Sequence, residues 1–181
     1  TGALVAHNAY NQEFRDSVAF LLATEPPTSF TCDRTEFLGR NGSIAHPAAL
    51  SRPQLAGRCG AGLDPCAALQ IDLEIPPGST HQLAFVCGQG ADAAAASALA
   101  ERYASVSRVT ASQDGASRFW DETLGAVQVH TPDDSFDVLV NRWLLYQTLS
   151  ARIWARSGPA QPGGAYGFRD QLQDVLSLLY A

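Results

Sequence analysis

The densest group of chemistry-bearing residues is Gly163-Gly164-Ala165-Tyr166-Gly167-Phe168-Arg169-Asp170-Gln171-Leu172-Gln173-Asp174. If Asp170 lies in the first turn of a helix, Gln173 and Asp174 follow at i+3 and i+4 and share its face. Leu172, Val175, Leu176 and Leu179 then take the opposite, buried side. Carboxylates and amides thus gather at a helix N-terminus, behind a glycine loop that lets other groups approach closely. Sugar hydroxyls need such a surface, with acceptors and donors in fixed geometry beside an aromatic ring such as Tyr166. The ordinary alternative is a capped helix, with Arg169 pairing Asp174 and Asp170 favoured at the positive end of the helix dipole. A catalytic pair of Asp170 and Asp174 fits poorly. The two carboxyl groups of an inverting glycosidase flank a cleft from different elements, about 6.5–9.5 Å apart.

The elements that must position this group change character near residue 110. Before it, the apolar runs 4–6, 17–23, 29–32, 66–75 and 82–87 have strand length, separated by turn signals such as Pro26-Pro27 and Pro76-Pro77-Gly78. Apolar and polar residues alternate strictly over 69–75, the pattern of a half-buried strand. With the Pro-Pro-Gly turn and a return run over 81–87, this predicts a β-hairpin. Residues 93–104 read as an alanine-rich helix. After about residue 115 the period becomes helical. A short helix over 117–122 closes at Gly125, and 127–129 is an extended link. Thr131-Pro132-Asp133-Asp134 supplies a cap and a first-turn proline. A long amphipathic helix then covers 136–157, ended by Gly158-Pro159. A glycine-rich loop over 161–167 leads into a last helix from about Arg169. Trp120, Trp143 and Trp154 sit at helical spacing, where aromatics belong to a core more often than to a sugar platform. Asp33-Arg34-Thr35-Glu36, followed by Gly39-Arg40-Asn41-Gly42, reads as an ion-paired strand end and turn, with contact to a sugar as the alternative.

Composition narrows the function classes. The chain has 181 residues, 46% hydrophobic and 17% charged, which describes a soluble globular protein rather than a disordered one. Its net charge is -6 and its 12 basic residues, all arginine, are scattered, so no stripe tracks a nucleic-acid backbone. No apolar run is long enough to span a membrane. Cys32, Cys59, Cys66 and Cys87 form no Cys-x-x-Cys, and none pairs with a histidine at zinc-ligand spacing. They read as reduced, mostly buried thiols, and no metal site or catalytic residue is assigned. The absence of methionine, even at position 1, suggests a piece cut from a longer protein.

Asn141-Arg142-Trp143-Leu144-Leu145-Tyr146-Gln147-Thr148-Leu149, together with the segment from Gly163 to Asp174, resembles glycoside hydrolase family 94. Three earlier segments agree: Thr31-Cys32-Asp33-Arg34-Thr35-Glu36-Phe37-Leu38-Gly39-Arg40-Asn41-Gly42, Gly60-Ala61-Gly62-Leu63-Asp64-Pro65-Cys66-Ala67-Ala68-Leu69-Gln70, and Phe119-Trp120 through Thr131-Pro132-Asp133. Within the family the pattern is most similar to the phosphorylase-like region of cyclic β-1,2-glucan synthases. The resemblance implies an α+β chain: an antiparallel β-sandwich (supersandwich) over 1–110, a linker over 111–135, and the first helices of an (α/α)6 barrel over 136–181. It implies that Asp170 hydrogen-bonds the glucosyl unit of the donor subsite, with Arg169, Gln173 and Asp174 in support. Inorganic phosphate would be the co-substrate and no other cofactor is implied. The general acid would lie beyond Ala181, so the piece alone would be inactive. The implied partner is a β-glucan oligosaccharide, in a bacterial inner-membrane parent with this region on the cytoplasmic side, and family members are commonly homodimers. Some relatives carry a sugar-binding arginine at the position of Gly164, a contact this chain lacks. A non-catalytic carbohydrate-binding module is the alternative.

Overall fold

A computed structural model describes residues 2–10, 12–154 and 168–180, with the side chains of Ala151, Arg152, Phe168, Asp170, Gln171 and Tyr180 outside the description. The Gly158-Pro159 break and the 161–167 loop expected above also lie outside the described residues. The chain divides into two compact units, Thr1–Ser112 and Gln113–Ala181.

In the first unit, β1 (Leu4–His7), β2 (Val18–Ala23) and β5 (Phe85–Gly90) form one antiparallel sheet with β2 in the centre. Strand alternation sends Val18, Phe20 and Leu22 to one face, where they pack on Ala96 and Ala100 of α2 (Ala93–Arg102). Leu22 is 1% exposed. The helix begins where Asp92 accepts the Ala95 N–H at 2.7 Å, and its alanines let it lie close to the sheet. The closeness depends on glycine in β5. A Cβ at Gly90 would stand 2.2 Å from the Ala96 nitrogen, and one at Gly88 would stand 2.5 Å from the Phe20 ring.

A second antiparallel sheet pairs β3 (Ser29–Asp33) with β4 (Pro65–Gln70). Here the expected hairpin is overturned. The alternating run ends its ladder at Gln70, residues 71–84 carry no strand, and the return run pairs with β2. Alternation shows that one face is suited to burial; it does not name the neighbour. The ladder went to β3, where the Thr28 N–H donates to the Gln70 carbonyl at 2.7 Å and the Ser29 hydroxyl to the Gln70 side chain at 2.6 Å. Leu73 and Ile75, on the apolar side of the expected strand, are exposed.

After β3, Asp33 caps the short helix α1 (Arg34–Leu38) by accepting the Thr35 N–H at 2.9 Å, where the end of a strand was expected; the expected turn follows at Arg40 and Asn41. Glu36, on that helix, is buried. It accepts the Thr31 hydroxyl at 2.5 Å and the Ala56 N–H at 2.7 Å, with Arg52 3.8 Å away. Arg58 pairs with Asp33, and Arg34 with Asp64 at 2.8 Å, so the ion-paired reading of this segment holds. The Thr31 hydroxyl, first among the causes, holds the Glu36 carboxyl below the usual range against the opposing effect of burial, helped by Ala56, Arg52 and Arg58. The irregular loop over 52–58 is thereby fastened to β3, and Cys32 and Phe30 add backbone bonds to Arg58 and Gly57. All four cysteines are free thiols, but none is buried as expected: Cys32 and Cys66 are half-buried, and Cys59 and Cys87 are exposed.

The helix expected at 117–122 is the end of a longer one, α3 (Val106–Leu124). Its first turns lack an apolar stripe, so periodicity could not reveal them. Asp133 caps α4 (Asp134–Val138) by accepting the Ser135 and Phe136 N–H groups at 2.9 and 3.2 Å. Helical backbone continues through a wide π turn (Leu139–Trp143), α5 (Leu144–Thr148) and a second π turn (Leu149–Ile153), matching the long helix that the spacing predicts as far as Ile153, with 155–157 outside the described residues. Then α6 (Phe168–Val175) runs into a tighter turn, Leu176–Tyr180.

Two outcomes follow from this packing. Gly90→Ala forces a methyl group onto the α2 backbone and should lower stability by about 1–3 kcal/mol in urea denaturation. Gly115→Ala, on the open side of α3, should raise it by about 0.5–1 kcal/mol. For Glu36, a folded-state pKa below the unfolded one means stability present above about pH 4.3 and lost as pH falls through the folded value. The gap between wild type and Glu36→Gln should therefore be widest at neutral pH and narrow below pH 4. A gap that stays constant with pH contradicts this account.

Candidate functional site

The segment singled out above folds as α6, with Arg169 and Asp170 in its first turn and Gln173 and Asp174 one turn later. Backbone position therefore brings residues 170, 173 and 174 onto one helical face. The Asp170 side chain lies outside the described residues. Arg169, Gln173 and Asp174 are all exposed. Arg169 and Gln173 line a groove of about 580 Å³ together with Leu172, Val175, Leu176 and Leu179. Those leucines were expected to be buried. Instead Leu172 and Leu176 are half exposed and Leu179 is 78% exposed. An apolar helix stripe is buried only where a second surface covers it, and these leucines stay largely open among the described residues.

A second polar centre went unassigned in the sequence reading. Asp137 is buried and accepts the Thr131 hydroxyl at 2.8 Å and the Thr131 N–H at 3.0 Å. One turn on, the Asn141 side chain accepts the Val129 N–H at 2.7 Å and donates to the Val129 carbonyl at 2.9 Å. An amide that pairs with both backbone groups of one residue replaces a strand neighbour. Asp137 and Asn141 thus fasten the 127–131 link to the helix that follows it. The signal was present as Asp137 and Asn141 at i and i+4, following Thr131.

Asp137 and Asn141 also edge a cleft of about 770 Å³ whose open wall carries Trp143 and Tyr146. Their rings stack 6.0 Å apart. Trp120 lies among Phe119, Tyr146 and Trp154, with centroids 5.0–5.4 Å away. The core expectation for the tryptophans fails at two positions: Trp143 is 52% and Trp154 54% exposed. Helical spacing put them on one stripe, but a stripe is buried only where something covers it. Open aromatic faces beside Asn and Asp side chains can stack on a sugar ring and bond its hydroxyls. Among the described residues, no group of three His, Cys, Asp or Glu is placed to hold a metal ion. No helix among them is long and apolar enough to cross a membrane.

Comparison with known proteins gives these elements a context. Residues 1–106 match the family model of the glycosyl hydrolase 94 supersandwich domain, and residues 119–181 match that of the glycosyl hydrolase 94 superfamily catalytic domain. The chain is 39% identical, over 97% of its length, to the cyclic beta-(1,2)-glucan synthase NdvB of Rhizobium meliloti (strain 1021), spanning 6% of that protein. It is 27% identical over 95% of its length to the N,N'-diacetylchitobiose phosphorylase of Vibrio proteolyticus and 28% over 93% to that of Vibrio furnissii, spanning 22% and 21% of them. With the antiparallel sheets of its first unit inside one match and the helices of α4–α6 inside the other, the chain belongs to glycosyl hydrolase family 94.

Proposed function

We propose that this chain is part of a bacterial enzyme that shortens or sets the length of β-1,2-glucan by inverting phosphorolysis. One observation supports this above the others. The catalytic-domain match includes α6, which carries Arg169 and Asp170 in its first turn and Gln173 and Asp174 at the surface. The 39% identity to a glucan synthase, against 27% to a chitobiose phosphorylase, favours a β-1,2-linked glucan over an N-acetylated sugar.

In such a reaction an oxygen of inorganic phosphate attacks the anomeric carbon as the glycosidic bond breaks. An acid gives its proton to the departing oxygen. The products are α-glucose 1-phosphate and a glucan one unit shorter. Asp170 would accept hydrogen bonds from the glucosyl hydroxyls in the donor subsite, with Arg169, Gln173 and Asp174 orienting it. A carboxylate suits that task because charged acceptors strengthen hydrogen bonds that neutral amides make more weakly. None of the four supplies the acid or anchors the phosphate, so the 181-residue chain is inactive alone. On this reading residues 136–181 open an (α/α)6 barrel, 1–110 belong to the sandwich and 111–135 link them. Further helices of that barrel would cover the leucine stripe of α6. The parent would be an inner-membrane protein with this region on the cytoplasmic side, acting as a homodimer.

The parent enzyme should release glucose 1-phosphate from β-1,2-glucan and phosphate. Asp170→Ala should cut kcat/KM at least about 100-fold, the loss of a charged hydrogen bond worth about 3 kcal/mol. Unimpaired phosphorolysis by that variant rules out the role given to Asp170. Calorimetric titration of the 181-residue chain with β-1,2-linked oligoglucosides should show weak binding or none. Tight binding there would instead favour a carbohydrate-binding module, with the exposed Trp143–Tyr146 stack as its platform.

A further inference from the structure

We propose that the cleft walled by Arg40, Arg52 and Arg58 in the first unit is an oxyanion site. It takes a phosphoryl group, as inorganic phosphate or as the phosphate of a sugar monoester. The site lies in the supersandwich match rather than on α6, so it stands whether or not the reading of Asp170 holds.

The cleft measures about 410 Å³ and is floored by Thr35, Glu36 and Ala56. Two carboxylates bear on it, Glu36 in its lining and Asp33 as the partner of Arg58, and both are occupied by protein donors. Asp33 accepts from the Thr35 N–H and from Arg58. Glu36 accepts from the Thr31 hydroxyl and the Ala56 N–H. Arg52, 3.8 Å from Glu36, is paired with it by charge without a hydrogen bond. Arg58 uses one N–H on Asp33. Each guanidinium has five N–H donors, so both arginines keep most of theirs for another acceptor. No carboxylate is paired with Arg40 among the described residues. Three arginines against two carboxylates leave the cleft one positive charge in excess. The Arg52 and Arg58 side chains are 45% and 53% exposed, within reach of a solute.

Guanidinium forks bind phosphate and carboxylate oxygens in pairs. A carboxylate offers two oxygens in one plane, enough for one fork. A phosphoryl group offers three or more in a tetrahedral array, which forks arriving from separate walls can share.

The test is an NMR titration of the arginine Nε–H resonances of the 181-residue chain. Inorganic phosphate, glucose 1-phosphate and chloride are compared at matched ionic strength. Phosphate or glucose 1-phosphate should shift Arg40, Arg52 and Arg58 saturably and leave Arg102, which rests on the Tyr103 ring, unmoved. Tighter binding of glucose 1-phosphate identifies a sugar monoester as the ligand, and equal or weaker binding identifies the free ion. Arg40→Gln leaves both carboxylates with their partners, so the fold is retained, and should weaken binding about tenfold. Absence of saturable shifts with both phosphates, an equal response to chloride, or affinity unchanged by Arg40→Gln overturns the proposal.

Discussion

A carboxylate taken out of water must have its oxygens satisfied, and among the described residues that requirement is met at Asp33, Glu36 and Asp137. In each case a donor is the backbone N–H of a neighbouring or distant segment: Thr35 for Asp33, Ala56 for Glu36, Thr131 for Asp137. The three acids therefore act as anchors. Glu36 fixes the 52–58 loop against β3, and with it the directions of Arg52 and Arg58. Asp137, with Asn141, fixes the link before α4 against the helix whose next turn carries Trp143. These bonds act beside the burial of Leu55 and the backbone bonds from β3 that also hold the 52–58 loop. The arginine cleft and the aromatic cleft both inherit their shape from them.

Much of this was legible in the residues, for reasons that differ by element. β2 and the alanine helix α2 carry their own periodicity, and the core that joins them follows from Val18, Phe20 and Leu22 alternating onto Ala96 and Ala100. A cap within 131–134 and the long helix after it were readable because capping chemistry is local, although Pro132 stands before the Asp133 cap and not in the first turn. Pairing was not. The 69–75 alternation correctly marks extended chain through Gln70, but its neighbour is decided by β3, some forty residues earlier. The start of α3 was hidden because its polar turns need no apolar stripe to be helical. Exposure was the hardest to read. Trp143, Trp154 and Leu179 look like core on a helical wheel, and whether a stripe is covered depends on surfaces that are not encoded in that stripe.

The candidate site shows the same division. Spacing alone put residues 170, 173 and 174 on one face of a helix, and α6 has that geometry. It could not reveal Asp137, whose role depends on Thr131, or the convergence of Arg40, Arg52 and Arg58, which come together only through the folded 52–58 loop. Family membership joins the two units functionally: a supersandwich of antiparallel sheets and a helical region from the catalytic domain, in a chain that spans 22% or less of the relatives compared here.

The most direct test of the functional account is a crystal structure of the parent enzyme with a bound β-1,2-linked gluco-oligosaccharide. The account predicts a glucosyl ring with its hydroxyls on the Asp170 carboxylate, at about 2.5–3.0 Å, and with Arg169 and Gln173 beside it. A sugar bound at a site that leaves Asp170 without contact would contradict it.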